Sequence, residues 1–150
     1  MKRYFLLILT IILVGWVACL PVKIKKGQGI VGNVYMISGD QMPSPDIKRE
    51  PPKGIKTKIY IYELASTEQV EHAKEPSFYN FIRTKLVKIV ESDEKGYFKT
   101  SLAAGTYSLF VKKDDLFYAN LFEGNKINPV IVPEDMFAHI DFQISYNAVY

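Results

Sequence analysis

The sequence predicts an all-β domain, and three observations carry that prediction. Apolar and polar residues alternate through residues 30–36, 55–64, 97–102, 106–111 and 139–146, the period of two that sends successive side chains to opposite faces of a strand. Gly, Asp, Asn and Pro punctuate these runs at turn positions, as in Asp93-Glu94-Lys95-Gly96 and Ala103-Ala104-Gly105. The chain has 150 residues, 48% hydrophobic and 13% aromatic, enough for one packed core and too apolar for a disordered segment. The expected architecture is a seven- or eight-stranded antiparallel β-sandwich carrying one short helical insertion.

The N-terminus reads as an address. Met1-Lys2-Arg3 is a basic start and residues 4–17 are an apolar run, short for a membrane-spanning helix, which needs about 20 residues. Val17-Ala18-Cys19 resembles the lipobox of bacterial lipoproteins, with Trp16 standing where Leu is usual. The resemblance implies a signal peptide over residues 1–18 and a lipidated Cys19. Residues 19–28 are then a tether and residues 29–150 the domain. Acyl chains on Cys19 would hold the domain at a bilayer, at about 0.8 kcal/mol per buried CH₂. Leu20 is not the Asp that often retains lipoproteins in the inner membrane, and the basic stretch from Pro21 to Lys26 lacks an acidic surface-export run. The expected location is the cell envelope, at the outer membrane and facing the periplasm.

Charge and cysteine content exclude other classes. The formal charge is +3, but Lys2 and Arg3 belong to the leader, which leaves 17 basic residues against 16 acidic. A near-neutral domain has no nucleic-acid footprint. The single cysteine permits no internal disulfide.

The domain is next read in order. Gly27, Gly29 and Gly32 match G-x-G-x-x-G, but a dinucleotide site needs a strand before the motif and a helix after it. Here a basic tether precedes it and a strand follows, with Ile30, Gly32, Val34 and Met36 on one face. Residues 38–54 hold Pro43, Pro45, Pro51 and Pro52 and form a long loop. Residues 55–64 are the clearest strand, with Ile55, Thr57, Ile59 and Ile61 inward and Lys56, Lys58, Tyr60 and Tyr62 on an amphipathic outer face. Residues 66–74 (STEQVEHAK) are the one expected helix, with Ser66 and Gln69 as a capping box and Pro76 as the stop. The aromatic stretch 77–82 packs over one end of the sandwich or presents a binding surface. Residues 83–91 form a strand, and so do residues 116–122. Residues 127–132 form an edge strand, because Pro129 cannot donate to a ladder. In the last strand Ile140, Phe142, Ile144 and Tyr146 share a face.

These residues together resemble a known family. Residues 29–34 resemble a G-x-V-x-G-x-V entry strand. Ser92 to Phe98 resemble a T-D-x-x-G-x-F hairpin, and Leu102 to Val111 an L-x-x-G-x-Y-x-L-x-V strand. The family is the carboxypeptidase regulatory-like domain, and the resemblance implies a Greek-key, transthyretin-like (prealbumin-like) sandwich. It also implies a non-catalytic module. In that register Phe98, Tyr107, Leu109 and Val111 point into the core, and Thr106, Ser108 and Lys112 point out.

Chemistry finds little support. No nucleophile elbow, P-loop or HExxH occurs. His72 lacks a second ligand at helical spacing, and His139 falls on a polar face. No cofactor, no metal site and no catalytic residue is expected. Two functions remain. One is a membrane-anchored interaction or structural module with an envelope-protein partner. The other is a glycan- or small-ligand-binding lipoprotein. Its candidate surface is Phe117, Tyr118, Asn120, Phe122, Asn125 and Asn128, aromatic and amide side chains that suit sugars.

Overall fold

The computed structural model describes Ile24, residues 26–42 and residues 51–149. Cys19, the expected signal peptide and residues 43–50 of the expected proline-rich loop lie outside the described residues. The described chain is all-β, with thirteen strands and one 3₁₀ turn. In chain order the strands are β1 (Gly29–Asp40), β2 (Lys53–Gly54), β3 (Lys58–Glu63), β4 (Val70–His72), β5 (Phe78–Ile82), β6 (Leu86–Glu91) and β7 (Tyr97–Ser101). They continue with β8 (Gly105–Lys113), β9 (Leu116–Tyr118), β10 (Phe122–Glu123), β11 (Lys126–Ile127), β12 (Pro129–Val132) and β13 (Phe137–Val149).

Two sheets face each other. In the smaller, β1 is central, with β13 on one edge and β7 and then β2 on the other. The larger runs β4-β5-β9-β8-β3-β6, with β12 also paired to β8, and β10 and β11 form a separate hairpin. Alternation explains the layer between the sheets. Ile30 and Val34 of β1, Phe98 of β7, Ile59 and Ile61 of β3, and Leu109 and Val111 of β8 meet Phe142 and Ile144 of β13 in one buried cluster. Each such side chain, fully buried, contributes about 1.5–3 kcal/mol relative to exposure.

Glycines sit where backbones converge. A Cβ at Gly32 would fall on the carbonyl oxygen of Ile140, so the close pairing of β1 with β13 needs the missing side chain. Gly96 closes the turn before β7 at φ +85°, which a side chain rarely adopts. Its carbonyl accepts from the Val34 N–H at 2.8 Å.

Four expectations are corrected. First, residues 66–74 are not a helix but one 3₁₀ turn, Thr67–Gln69, followed by β4. The start signal is present, for Gln69 Oε1 accepts from the Ser66 N–H at 3.0 Å. The segment has only Val70 and Ala73 to offer a helical face, and ladder pairing of Val70 with Ile82 wins. Second, the pairing is not wholly antiparallel, because β1 and β13 run parallel from Gly29↔Phe137 to Asp40↔Val149. Alternation fixes faces, not strand direction. Third, residues 116–122 do not form one strand. The chain leaves the sheet after Tyr118, and Phe122 enters the β10–β11 hairpin.

The fourth correction is the largest. The far face of the larger sheet is not solvated. Tyr62, Phe110, Phe117, Tyr79 and Ile82 form a second buried cluster there, covered by Ala65, Val70, Ala119 and Ile127. Its rings meet edge to face, Tyr62 to Phe110 at 5.7 Å and Tyr79 to Phe110 at 5.9 Å between centroids. Ser108, expected outside, is fully buried. Its hydroxyl donates to the Ile127 carbonyl at 2.6 Å and accepts from the Ala65 N–H at 2.9 Å. It pins the covering layer to β8 with both hydrogen-bond capacities used.

Candidate functional site

The six residues of the expected ligand surface do not form one site. Phe117 lies in the outer cluster and Tyr118 in the cluster between the sheets, because adjacent strand residues point to opposite faces. Asn128 is buried, with its amide donating to the Leu109 carbonyl at 2.8 Å. Phe122 and Asn125 are exposed on the β10–β11 hairpin and its turn.

Tyr118 and Asn120 border a common depression, of 570 Å³, together with Glu75, Phe78, Ser145 and Tyr146. Its polar groups bond one another. The Tyr118 hydroxyl lies 3.1 Å from Ser145 Oγ and accepts from the Ser145 N–H at 3.2 Å, and the Asn120 amide donates to Ser145 Oγ at 3.1 Å. Its aromatic faces are also occupied. Phe78 and Tyr118 are buried, and Lys113 Nζ sits 4.5 Å from the centroid of Tyr146. Burial raises the Tyr146 phenol above its usual pKa, and the nearby charge of Asp114 and Tyr118 adds to it. At neutral pH the hydroxyl is a neutral donor.

The histidines fall on different sheets. His72 is exposed at the end of β4, its ring 5.3 Å from that of Tyr79. His139 is exposed on β13, 3.9 Å from Asp141 Oδ1. Among the described residues no group of three or more His, Cys, Asp or Glu is placed to hold a metal ion. Asp93 is used locally, its Oδ1 accepting from the Lys95 and Tyr97 N–H groups at 2.8 and 2.9 Å. Among the described residues no helix is long and apolar enough to cross a membrane.

The surface that sequence reasoning missed is β6. It is the end strand of the larger sheet and pairs with β3 alone, from Lys58↔Glu91 to Tyr62↔Leu86. Leu86, Val87 and Ile89 are exposed there, Ile89 at 47%. A groove of 420 Å³ begins at its first residues, bordered by Lys85, Leu86, Val87, Leu102, Tyr107 and Ile24. An unpaired strand edge with apolar side chains on both faces is a template for another strand. The one polar residue in this run, Lys88, is folded aside. Its Nζ donates to the Ser101 carbonyl at 3.3 Å across the sandwich rim. A signal was available, for the run Leu86-Val87-Lys88-Ile89-Val90 has no polar face, although nothing in it says which edge stays open.

In comparisons with known proteins, no family model, no curated protein and no solved structure matches the chain.

Proposed function

We propose that this chain is a lipid-anchored, non-catalytic β-sandwich module of the bacterial envelope that binds a protein partner by strand addition at β6. The observation that carries this reading is the exposed, apolar, singly paired edge Leu86–Glu91. Strand addition satisfies the open backbone groups and covers the apolar side chains together. The lipobox-like Val17-Ala18-Cys19 supports the anchor, with the domain at the outer membrane and facing the periplasm.

We also assign the carboxypeptidase regulatory-like, Greek-key and transthyretin-like fold. Its support is the Gly96 and Gly105 hairpin pattern together with Tyr107, whose hydroxyl donates back to the Ala103 carbonyl at 3.0 Å. That bond is a tyrosine corner of the kind Greek-key sandwiches use. The assignment carries no activity with it.

The test is a photo-reactive amino acid placed at Val87 in the full chain, irradiated in whole cells. A discrete protein adduct is the expected result. Lipid adducts only, or none, overturn the reading. The anchor has a separate test, since Cys19→Ala is expected to abolish incorporation of labelled fatty acid and leave an unprocessed precursor.

Glycan or small-ligand binding is the second reading. The depression beside Tyr118 and Asn120 favours it. It needs a sugar to displace Lys113 from Tyr146 and to break the Ser145 contacts. Calorimetric titration with envelope glycans, unchanged by Asn120→Ala, would end it.

A further inference from the structure

We propose that the end of the sandwich where β1 begins is a bilayer-contact surface, which seats the domain end-on against phospholipid through Met136 and Ile131. This rests on the lipid-anchored reading above and adds to it the surface that the anchor presents to the membrane.

The exit of the tether is built into the fold. Gln28, the residue before β1, is buried, with 2% of its surface exposed. Its side chain is used at both ends. Nε2 donates to the Leu102 carbonyl at 2.9 Å, and Oε1 accepts from the Asp135 N–H at 3.1 Å. The next residue, Gly29, donates its N–H to the Met136 carbonyl at 3.1 Å. A buried amide bonded through both oxygen and nitrogen holds its neighbours in place, since freeing it would leave polar groups unpaired. The tether therefore leaves between the β7–β8 turn and the turn that precedes β13. Ile24 still lies at this end, on the border of the groove with Leu102 and Lys85.

Reach limits where the anchor can be. From Ile24 back to Cys19 is five residues, at most about 18 Å of extended chain. β8 alone, from Gly105 at this end to Lys113 at the other, is 9 residues and about 27 Å long. Cys19 thus stays near the end where β1 begins, and the domain meets the bilayer either end-on or on one side.

The surfaces favour end-on. The two most exposed large apolar side chains among the described residues are Ile131, at 67%, and Met136, at 60%. They flank the β12–β13 turn, at this end. Lys26 and Lys85 are exposed at the same end, and the tether sequence adds Lys23 and Lys25. Cations beside apolar side chains suit a headgroup layer that contains anionic lipid. The sides suit it less. The outer face of the smaller sheet carries Lys99, His139, Asp141 and Gln143, all exposed. The β6 side would press an unpaired strand edge against lipid, where open backbone groups find no partners. Glu134 and Asp135 lie in the same turn as Met136 and keep the contact shallow, so that only the Met136 and Ile131 side chains reach the acyl boundary. Seated in this way, the domain keeps the β6 edge off the bilayer and open to strand addition.

Depth-dependent quenching tests the orientation. The acylated chain is purified and placed on vesicles of phosphatidylethanolamine and phosphatidylglycerol that carry acyl-brominated lipid. Acylation of Cys19, the one native cysteine, leaves an introduced cysteine as the only thiol for a bimane label. A label at Met136→Cys is expected to be quenched at least about threefold more than one at Asp115→Cys, in the β8–β9 turn. Equal quenching at the two sites overturns end-on docking.

A second arm tests the two side chains. With the label at Ala104→Cys, in the β7–β8 turn, Ile131→Asp together with Met136→Asp should lower quenching to the Asp115 level. The chain should stay on the vesicles through its acyl chains. Circular dichroism confirms that each variant is folded. Undiminished quenching at Ala104 overturns the role of Met136 and Ile131. The anchor fails separately. A chain that carries no fatty acid and does not float with vesicles overturns the anchor reading and the docking with it. A chain that is acylated, floats and is quenched equally at both sites overturns the docking alone.

Discussion

Each face of the larger sheet carries a buried cluster, yet the two clusters are built differently. Between the sheets the cluster is largely aliphatic, with Ile30, Ile59, Ile61, Leu109 and Ile144, and each sheet covers the other. On the far face the cluster is aromatic, with Tyr62, Tyr79, Phe110 and Phe117, and its cover is a set of short segments around Ala65, Val70 and Ile127. The first face is closed by regular strands. The second is closed by irregular chain that must be fastened, and Ser108 does the fastening. A polar residue in a strand can thus mark a lid rather than a solvent face.

If the far face is a core in its own right, removing a ring there should cost as much as removing one between the sheets. Phe110→Ala and Phe98→Ala are each expected to destabilise by about 3–5 kcal/mol in denaturant unfolding. A loss under about 1 kcal/mol for Phe110→Ala alone would reduce the outer cluster to surface decoration.

The outer cluster should also be the one that fails in alkali. Burial is the main cause that pushes the Tyr79 phenol up to about 12, and the neighbouring Tyr118 adds to it. The folded state therefore holds this proton more tightly than the unfolded state, where the phenol titrates near 10. Its contribution is complete below pH 10 and is lost as pH rises toward 12, about 2 kcal/mol by pH 12. Tyr79→Phe should flatten the fall in stability over that range, measured by urea unfolding at stepped pH.

Ser108→Ala sharpens the fastening argument. It leaves the buried Ala65 N–H and Ile127 carbonyl without their hydroxyl partner, at a cost of about 1–2 kcal/mol. Hydrogen exchange should rise at Ala65 and Ile127 before it rises at Leu109. Uniform exchange would show that the lid and the sheet open together. The smallest effect is expected on the inner side, where Tyr107→Phe removes the bond to the Ala103 carbonyl for about 1 kcal/mol.

The same contrast separates what was legible in the sequence from what was not. The strands lining the space between the sheets follow from alternation, because one face of each is apolar and the other is not. The outer cluster hides behind Tyr60, Tyr62 and Ser108, residue types that suit water as well as a covered face. Its cover arrives from segments 65–70 and 119–127, whose docking no local pattern encodes. The helix expected at residues 66–74 had a real capping box, but its two apolar residues could not hold a helical face against a β ladder. The candidate ligand residues were grouped by closeness in sequence. The pleat sends Phe117 and Tyr118 to opposite faces, and Asn128 spends its amide on Leu109. The openness of β6 depends on its place at the end of the sheet order, which its residues alone do not reveal.

The parallel pairing of β1 with β13 reaches beyond the finished structure. The strand that begins the smaller sheet bonds along its length to a strand made more than 100 residues later. A ribosome adding about 5–20 residues per second leaves β1 without that neighbour for several seconds. The smaller sheet cannot close until β13 has been made.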